Sequence, residues 1–542
     1  SNLGLDARTK QDYQFYSSNT STRQLGTSYA YNGMSKYTMM TLENMLFYNR
    51  DFGKDHTLGV TLLQSIQEDK TESNKIGVQD VTSDDLLYND LASSFIIDKI
   101  GSNLTKWTMA SFMGRVNYGF KGRYLFTGSV RYDGSSRLAE GHKWVAFPSV
   151  ALAWRVSEEA FMKKQNFLSN LKLRAGWGKT GNSSIDPYMT RGGLGLSTYV
   201  WDNGASEVLG YAPSIMANSE LTWETTKQWN VGVDFGFFNN RLSGTVDLYL
   251  QHTSDLLLER QIPVVSGFGS VLSNVGETKN KGIEISLSSL NINTKSFQWT
   301  TDVMFYANKE SIESLYNGKV DDIGNKWFIG HPINVHYDYE KIGIWQNTPE
   351  DLAEMEEFNK NGANFKPGDI KIWDNGDKKI TEADRKILGS TSPKFIASMV
   401  NSISYKGFDF SIFLYASVGA MLNNNIEYLN KPGRANSIVI DYWTPTNPTN
   451  AYPRPSVDNA SPAYVKSLQY EKADFIRVRN ITLGYTLPEK LLKKIRARKI
   501  RVYLSANNPF IITGFSGIDP EGARGYTVPS ASTWMGGVNL SF

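Results

Sequence analysis

The feature of this sequence that most restricts its fold is how short and long links alternate between predicted β-strands. Alternation of apolar and polar residues predicts about fifteen strands. At one parity, counted back from Phe542, the links are tight turns, such as Lys121-Gly122, Asn239-Asn240 and Lys406-Gly407. At the other parity lie the long polar links 67–106, 180–221, 309–393 and 417–474. Antiparallel strands that cross a membrane as a barrel sort their links this way, with short turns on one side and long loops on the other.

The strands themselves carry one apolar and one polar face. In 245–251, Val246 and Leu248 lie on one face and Asp247 lies on the other. A packed sandwich core rejects such charges unless each is paired, whereas a wet or plugged lumen accepts them. The sequence therefore predicts an all-β transmembrane antiparallel β-barrel with long extracellular loops and short periplasmic turns. The other predicted strands are 37–50, 55–66, 107–120, 122–134, 146–156, 171–177, 222–238, 275–289, 296–308, 394–405, 408–416, 475–487, 500–506 and 533–542.

Local signals add detail to this pattern. The alternation slips within 475–487, which predicts a β-bulge near Asn480. The links 156–170 and 487–499 each have the composition of a short helical cap on the short-turn side. A helix start at Thr348-Pro349-Glu350-Asp351 predicts a short helix that stops near Gly362.

Composition excludes several classes of protein. The 57 basic and 54 acidic residues balance, which argues against a nucleic-acid partner. Cysteine is absent, so there is neither a disulfide scaffold nor thiolate chemistry. No stretch approaches the roughly 18–20 apolar residues of a membrane helix. No signal peptide is visible at the start, so we expect a chain that is processed or cut there.

The search for catalytic residues is negative. The five histidines are scattered, and the glycine clusters lack the strand-before, helix-after context of a phosphate-binding loop. Adjacent carboxylates occur in loops, but nothing places two of them across a cleft at the distance glycoside hydrolysis requires. We therefore predict that the protein is not an enzyme.

One segment has the pattern of a metal site. Residues 374–384 resemble a calcium loop, with Asp374, Asn375, Asp377 and Asp384 as oxygen ligands. The pattern is degraded, because Lys378 replaces the glycine of the sharp turn and adds a like charge where a cation would bind. A plain Asn-Gly turn is the alternative.

Several motifs together resemble one family. They are 474–488 (DFIRVRNITLGYTLP), 502–510 (VYLSANNPF), 517–521 (GIDPE), 442–445 (YWTP), 368–371 (GDIK), 131–136 (RYDGSS), 147–149 (FPS) and 171–178 (LKLRAGWG). These motifs are similar to those of SusC/RagA-type TonB-dependent outer-membrane transporters. They cover essentially the whole chain and keep the order of the family.

The resemblance implies a location and a set of partners. It implies a plugged barrel of 22 strands in the bacterial outer membrane, of which 1–542 supplies the C-terminal part. The N-terminal extension, TonB box, plug and first strands are absent from this stretch. Family members import oligosaccharides or oligopeptides with a SusD-like lipoprotein lid, driven by TonB, and two such complexes can form a dimer. The terminal Phe542 resembles the signal read by the barrel assembly machinery.

The predicted function is therefore import of nutrient oligomers. Candidate ligand contacts are the loop aromatics Tyr199, Trp201, Trp327, Tyr442 and Trp443, which can stack on sugar rings or pack on peptide. Packing of these rings on other loops or on the lid is the alternative for each of them. A passive porin or adhesin barrel is the second hypothesis, and a secreted β enzyme acting on glycans is the third.

Overall fold

The chain folds almost entirely into β-strands. The computed structural model describes residues 1–21, 23, 26–94, 96–201, 206–424, 440–455, 462–494, 497–521 and 530–541. Sixteen strands form one sheet, in which each hydrogen-bonds to the next along the chain. Numbered together with the ten shorter strands given below, they are β1 Asn2–Tyr16, β2 Tyr29–Phe52, β3 His56–Gln79, β4 Ile96–Phe120, β5 Tyr124–Ser135, β6 Trp144–Arg155, β7 Leu168–Asn182, β10 Glu224–Phe237, β11 Leu242–Ser254, β14 Glu277–Asn293, β15 Phe297–Ser314, β20 Phe395–Tyr405, β21 Phe408–Val418, β24 Phe475–Thr486, β25 Lys499–Thr513 and β26 Thr533–Ser541.

The shorter strands pair two by two within the long links. They are β8 Gly193–Trp201 with β9 Ser206–Ile215, β12 Leu257–Gln261 with β13 Ser270–Asn274, β16 Val335–Tyr339 with β19 Arg385–Ser390, β17 Lys341–Ile344 with β18 Ile370–Ile372, and β22 Met421–Asn423 with β23 Tyr470–Lys472. Two α-helices are described, α1 Pro349–Lys360 and α2 Glu489–Lys494. No helix in the described ranges is both long and apolar enough to cross a membrane.

The predicted fold class is confirmed, with sixteen strands in the sheet where about fifteen were predicted. The strand that the sequence did not reveal is β1. Only its first residues alternate clearly, through Leu3 and Leu5, and the following Thr9, Lys10 and Gln11 are polar on both faces. A strand paired along its length through the backbone does not need an apolar face at every step.

The tight turns are confirmed by their backbone angles. Lys121 and Gly122 have φ of 53° and 61°, and Lys406 and Gly407 have φ of 45° and 93°. Positive φ at two consecutive residues is typical of the type I′ turn, whose twist matches that of the flanking strands. These two links therefore join antiparallel neighbours directly, β4 with β5 and β20 with β21.

One predicted long loop is wrong. Residues 67–106 do not form a loop, because β3 and β4 stay paired as far as Gln79 and Ile96, and only 80–95 connects them. Polar residues such as Glu72 and Ser73 continue the strand on both faces, so the apolar-polar period disappears although the hydrogen bonds continue. The other three long links do contain irregular loops, together with the short strand pairs.

The apolar face of the sheet is exposed. Leu248 on β11 is 53% exposed and Leu504 on β25 is 66% exposed, although both are large apolar residues on regular strands. On the opposite face of β25, Ser505 is buried and hydrogen-bonds to Asn480 at 3.0 Å. A soluble sandwich would bury the leucines between its sheets, whereas a membrane sheet presents them to lipid.

Backbone contacts divide the chain into two units. The first comprises Ser1–Arg155, Arg174–Trp229 and Gln251–Glu277, and the second comprises Val156–Leu173, Asn230–Leu250 and Thr278–Phe542. The first has a core of Leu138, Phe147, Ile185, Leu221 and Trp223. The second has two neighbouring cores: the loop core of Ile344, Ile370, Ile372, Trp443, Val465 and Leu468, and the helix core of Trp345, Met355, Phe358 and Phe365.

The bulge and two of the helices follow the sequence. Phe413 pairs with Asn480 while Leu414 pairs with Val478, so Arg479 is the extra residue and the bulge is confirmed. Helices α1 and α2 lie where they were predicted. The helical cap predicted over 156–170 is wrong as a helix: a single 3₁₀ turn at Val156–Glu158 is assigned there.

Candidate functional site

Two of the predicted ligand contacts lie together on a hairpin. Tyr199 and Trp201 are alternate residues of β8, so they share one face of the β8–β9 ribbon. They are 60% and 56% exposed, and their ring centroids are 4.6 Å apart with an interplanar angle of 63°. An exposed edge-to-face pair of this kind offers a stacking surface to a ligand ring.

The other three candidate aromatics differ in exposure. Trp327 is half-buried, and its backbone N–H and C=O both pair with Asp322. Tyr442 is exposed. Trp443 is only 5% exposed, lies in the loop core and donates from Nε1 to Oε1 of Gln346 at 2.8 Å. The surroundings of Trp443 therefore favour packing within the loops, the alternative to ligand contact that the sequence left open.

Helix α1 carries the most concentrated ion pairing of the long link between β15 and β20. Thr348 caps the helix by accepting from Asp351 N at 3.3 Å, and Met355 and Phe358 face its core. Lys371 lies 2.9 Å from Asp351 Oδ1 and 2.6 Å from Glu354 Oε2, with its ammonium 4.2 Å from the Trp345 ring centroid. This lysine therefore ties β18 to the helix.

The ion pairs set the pKa values of all three groups. The hydrogen bond from Lys371 lowers the pKa of Glu354 below its ordinary value. Burial raises the pKa of Asp351, but hydrogen bonds from Lys371 and from Gln346 N reverse this, so the net shift is downward. Burial lowers the pKa of Lys371, and its bonds to Glu354 and Asp351 more than offset this, so the net shift is upward.

These shifts predict acid-induced loosening of α1. Because the folded-state pKa values of Asp351 and Glu354 are lowered, their contribution is present above the ordinary values of 3.8 and 4.5 and is lost as pH falls below them. We expect amide exchange of 349–360, corrected for the intrinsic rate, to be constant from about pH 7 to 5 and to rise below about pH 4. Glu354→Gln should show faster exchange already at pH 7, and no difference there would contradict this role.

The predicted metal ligands do come together. Carboxylate oxygens of Asp374, Asp377 and Asp384 lie within 4.8 Å of one another. Asp384 is fully buried, and its oxygens accept from Asn375 N at 2.9 Å and Thr381 N at 2.6 Å. The Asp374 carboxylate accepts at Oδ2 from Gly376 N, while its buried Oδ1 has no hydrogen-bond partner. The remaining predicted ligand, Asn375, uses its Oδ1 to accept from Asp377 N.

Lys378 does not place its charge among these acids, contrary to the expectation from sequence. Its ammonium lies 3.0 Å from Glu354 Oε1 and 5.1 Å from the Phe358 ring centroid, on the side of helix α1. Its φ of +60° is the left-handed value that glycine would adopt at this turn. The Lys378 ammonium thus lies beside Glu354, and Oδ1 of Asp374 is buried without a hydrogen-bond partner. For these two reasons the residues present fit a hard divalent cation such as calcium.

Sequence reasoning missed a buried charge cluster at the bulge. Arg477 on β24 lies 2.6 Å from Asp519 Oδ1, and both side chains are almost fully buried. Glu521 bonds to Arg479, whose guanidinium carbon lies 4.6 Å from the Tyr415 ring centroid. Asp519 also accepts from Glu521 N and Ser530 N. Two arginines two residues apart on a strand, with acids at the same spacing in the GIDPE motif, were the available signal.

The last predicted site residue, Phe542, lies outside the described residues. Its role in barrel assembly therefore remains a prediction from the terminal sequence.

Comparison with known proteins identifies the family. The family model described as "TonB dependent receptor-like, beta-barrel" matches residues 1–508. TonB-dependent receptor P3 of Formosa agariphila is 34% identical over 88% of this chain, and TonB-dependent receptor SusC of Bacteroides thetaiotaomicron is 34% identical over 81% of it. The chain covers 48% and 44% of these two relatives, so it spans about half their length.

A solved structure gives the same result. The RagAB peptide transporter superposes on the whole chain with a TM-score of 0.82 at 25% identity, and the chain covers 60% of it. The exposed apolar face and the sorted links define an outer-membrane β-barrel protein. The chain belongs to the TonB-dependent receptor β-barrel family, whose members are receptors and transporters of the outer membrane rather than enzymes, and the resemblance to SusC/RagA proteins is confirmed.

Proposed function

We propose that this chain forms the C-terminal part of the wall of a TonB-energised importer of nutrient oligomers, acting with a SusD-like surface lipoprotein. The observation that carries the proposal is the sixteen-stranded sheet whose apolar face is exposed. The similarity to the RagAB peptide transporter supports it. The loops capture a ligand beneath the lid, a plug closes the lumen, and TonB pulls on the plug to release the ligand inward.

Uptake in whole cells tests the proposal. Cells that express the full-length protein together with its SusD-like lipoprotein should accumulate a fluorescently labelled oligosaccharide or oligopeptide. Accumulation should stop when TonB is deleted or when a protonophore collapses the proton gradient. Uptake that persists under both treatments would indicate passive entry and would contradict the proposal.

A passive porin or adhesin barrel is the competing function. Planar-bilayer recording on the purified full-length protein separates the two, because a plugged transporter should be electrically silent. Stable open-channel conductance would favour the porin. The long structured link with helix α1 favours a ligand-capturing barrel, because a simple pore has no need of it.

We further propose that 374–384 binds calcium through the carboxylates of Asp374, Asp377 and Asp384, with the side-chain Oδ1 of Asn375 as an additional ligand. The ion would hold the loop against α1, because Lys378 already joins the two through Glu354. Terbium bound at this site in the full-length protein should show luminescence sensitised by nearby tryptophan. Added calcium should displace the terbium and lower that luminescence. Asp377→Ala should abolish it, whereas Asp321→Ala, in the same link but outside the cluster, should not. Equal luminescence in both variants would refute the site.

A further inference from the structure

The second unit contains a cavity that the proposed function does not yet use. Its volume is about 510 Å³, within the range of about 300–1,000 Å³ typical of small-molecule sites. We call it the tyrosine cavity. Its lining residues are Lys326, Tyr337, Asp338, Tyr339, Arg385, Pro462, Tyr464, Val465, Lys466 and Ser467.

The β16–β19 ribbon places the functional groups. Tyr339 pairs with Arg385 and Tyr337 pairs with Ile387, so Tyr337, Tyr339 and Arg385 share one face of the ribbon. Tyr464 contacts that face from the opposite wall, with its ring 5.1 Å from Tyr339 in an edge-to-face arrangement. The cavity therefore presents three tyrosine rings beside a guanidinium.

Positive charge predominates in the lining. Lys326 and Lys466 are exposed, and Arg385 is half-buried. Asp338 is the one acid in the lining, and its carboxylate is occupied: Oδ1 accepts from Tyr339 N at 2.9 Å and Oδ2 from Tyr470 Oη at 2.7 Å. Three cations thus face one acid that is already satisfied.

Arg385 has an unused donor. Its Nη1 lies 3.0 Å from Glu382 Oε1, a highly exposed side chain, and its guanidinium carbon lies 5.1 Å from the Tyr339 ring centroid. Its Nε is buried and has no hydrogen-bond partner. A buried donor without a partner requires an explanation, and repositioning of the guanidinium onto the anionic group of a bound ligand supplies one.

The backbone at the cavity is strained at two residues. Tyr464 has φ of +62° and Lys326 has φ of +60°, the left-handed region that large side chains rarely adopt. Such residues persist where the surrounding structure determines their position, and they are concentrated at ligand-binding sites. Both residues line the cavity.

We infer that the tyrosine cavity binds a ring of an acidic oligosaccharide whose anionic group, a carboxylate or a sulfate ester, pairs with Arg385. This inference rests on the proposed importer function and names its substrate class. Tyrosine rings and hydroxyls suit the faces and hydroxyls of sugars. Pro462 and Val465 are the aliphatic residues of the lining, which otherwise consists of aromatic, charged and hydroxyl-bearing side chains, and triglutamate below tests the peptide alternative. The planar guanidinium matches carboxylate and sulfate geometry.

Calorimetric titration of the full-length transporter in complex with its lipoprotein tests this inference. The probes are galactotriose, its 6-sulfated form, trigalacturonate and triglutamate. At least one acidic sugar should bind ten times more tightly than galactotriose, and its Kd should rise with salt. The acidic sugar that binds identifies the anionic group. Arg385→Gln should weaken its binding at least tenfold, whereas Lys319→Gln, an exposed lysine of the same link outside the lining, should not.

Several results would overturn the inference. They are equal affinity for acidic and neutral sugars, unchanged affinity in Arg385→Gln, and tighter binding of triglutamate than of any sugar. Lys326→Gln serves as a second variant if Arg385→Gln does not assemble. Uptake measured in cells separates this inference from the proposed function. TonB-dependent uptake that shows no preference for acidic sugars would contradict only this inference. Loss of all TonB-dependent uptake would contradict the proposed function.

Discussion

Replacing Arg477 with glutamine should lower the free energy of unfolding of the assembled barrel by about 3–5 kcal/mol. The substitution leaves the carboxylate of Asp519 buried without its cation, and a lone buried charge costs more than the pair contributes. Arg477 Nε also lies 3.2 Å from Glu521 Oε2, so the same change leaves Glu521 paired with Arg479 alone. The link between β25 and β26 should then separate from β24.

Denaturant unfolding of the full-length protein in lipid vesicles measures this loss, and proteolysis within 514–521 reports detachment of the loop. Lys360→Gln is the matched control, because it removes an exposed i,i+4 pair with Glu356 and should cost at most about 0.5 kcal/mol. The double variant Arg477→Leu, Asp519→Leu should recover much of the stability, since no buried charge remains. Equal losses in Arg477→Gln and the control would show that the buried pair has no special role.

Replacing Trp443 with alanine should destabilise the loop core by about 3–5 kcal/mol, as truncation of a large buried aromatic residue does. Trp443 contacts the Cα of Gly368, where an added Cβ would lie 2.4 Å from its ring. Trp443 Nε1–H also donates to Oε1 of Gln346, and the alanine variant would leave that oxygen without its hydrogen-bond donor. Amide exchange of β17 and β18 should therefore accelerate strongly.

Trp443→Phe separates packing from hydrogen bonding, because it keeps most of the ring and removes only Nε1–H. It should cost less than the alanine variant. Tyr199→Ala serves as the contrasting variant, because that ring is exposed on the β8–β9 ribbon and its loss should leave stability unchanged. A weaker ligand affinity with normal exchange in Trp443→Ala would show that the residue binds ligand instead of supporting the loop.

The sequence alone determined the parts of this protein that depend on local period and local turn chemistry. Alternating residues around Leu248 revealed the strand and its lipid face, because successive side chains of a strand point to opposite sides. The phase slip near Asn480 revealed the bulge for the same reason. Lys406-Gly407 revealed a turn because two consecutive residues with positive φ favour glycine. The family motifs then identified the class of barrel.

The tertiary structure decided which distant residues meet. Nothing local distinguishes buried Trp443 from exposed Trp201, because burial depends on segments far apart in sequence. The direction of the Lys378 ammonium depends on helix α1, and the charge of the tyrosine cavity depends on the pairing of β16 with β19. The paired extensions of β3 and β4 are likewise set by backbone hydrogen bonds, which carry no side-chain pattern. Periodicity is a property of one segment, whereas burial and ion pairing are properties of contacts between segments.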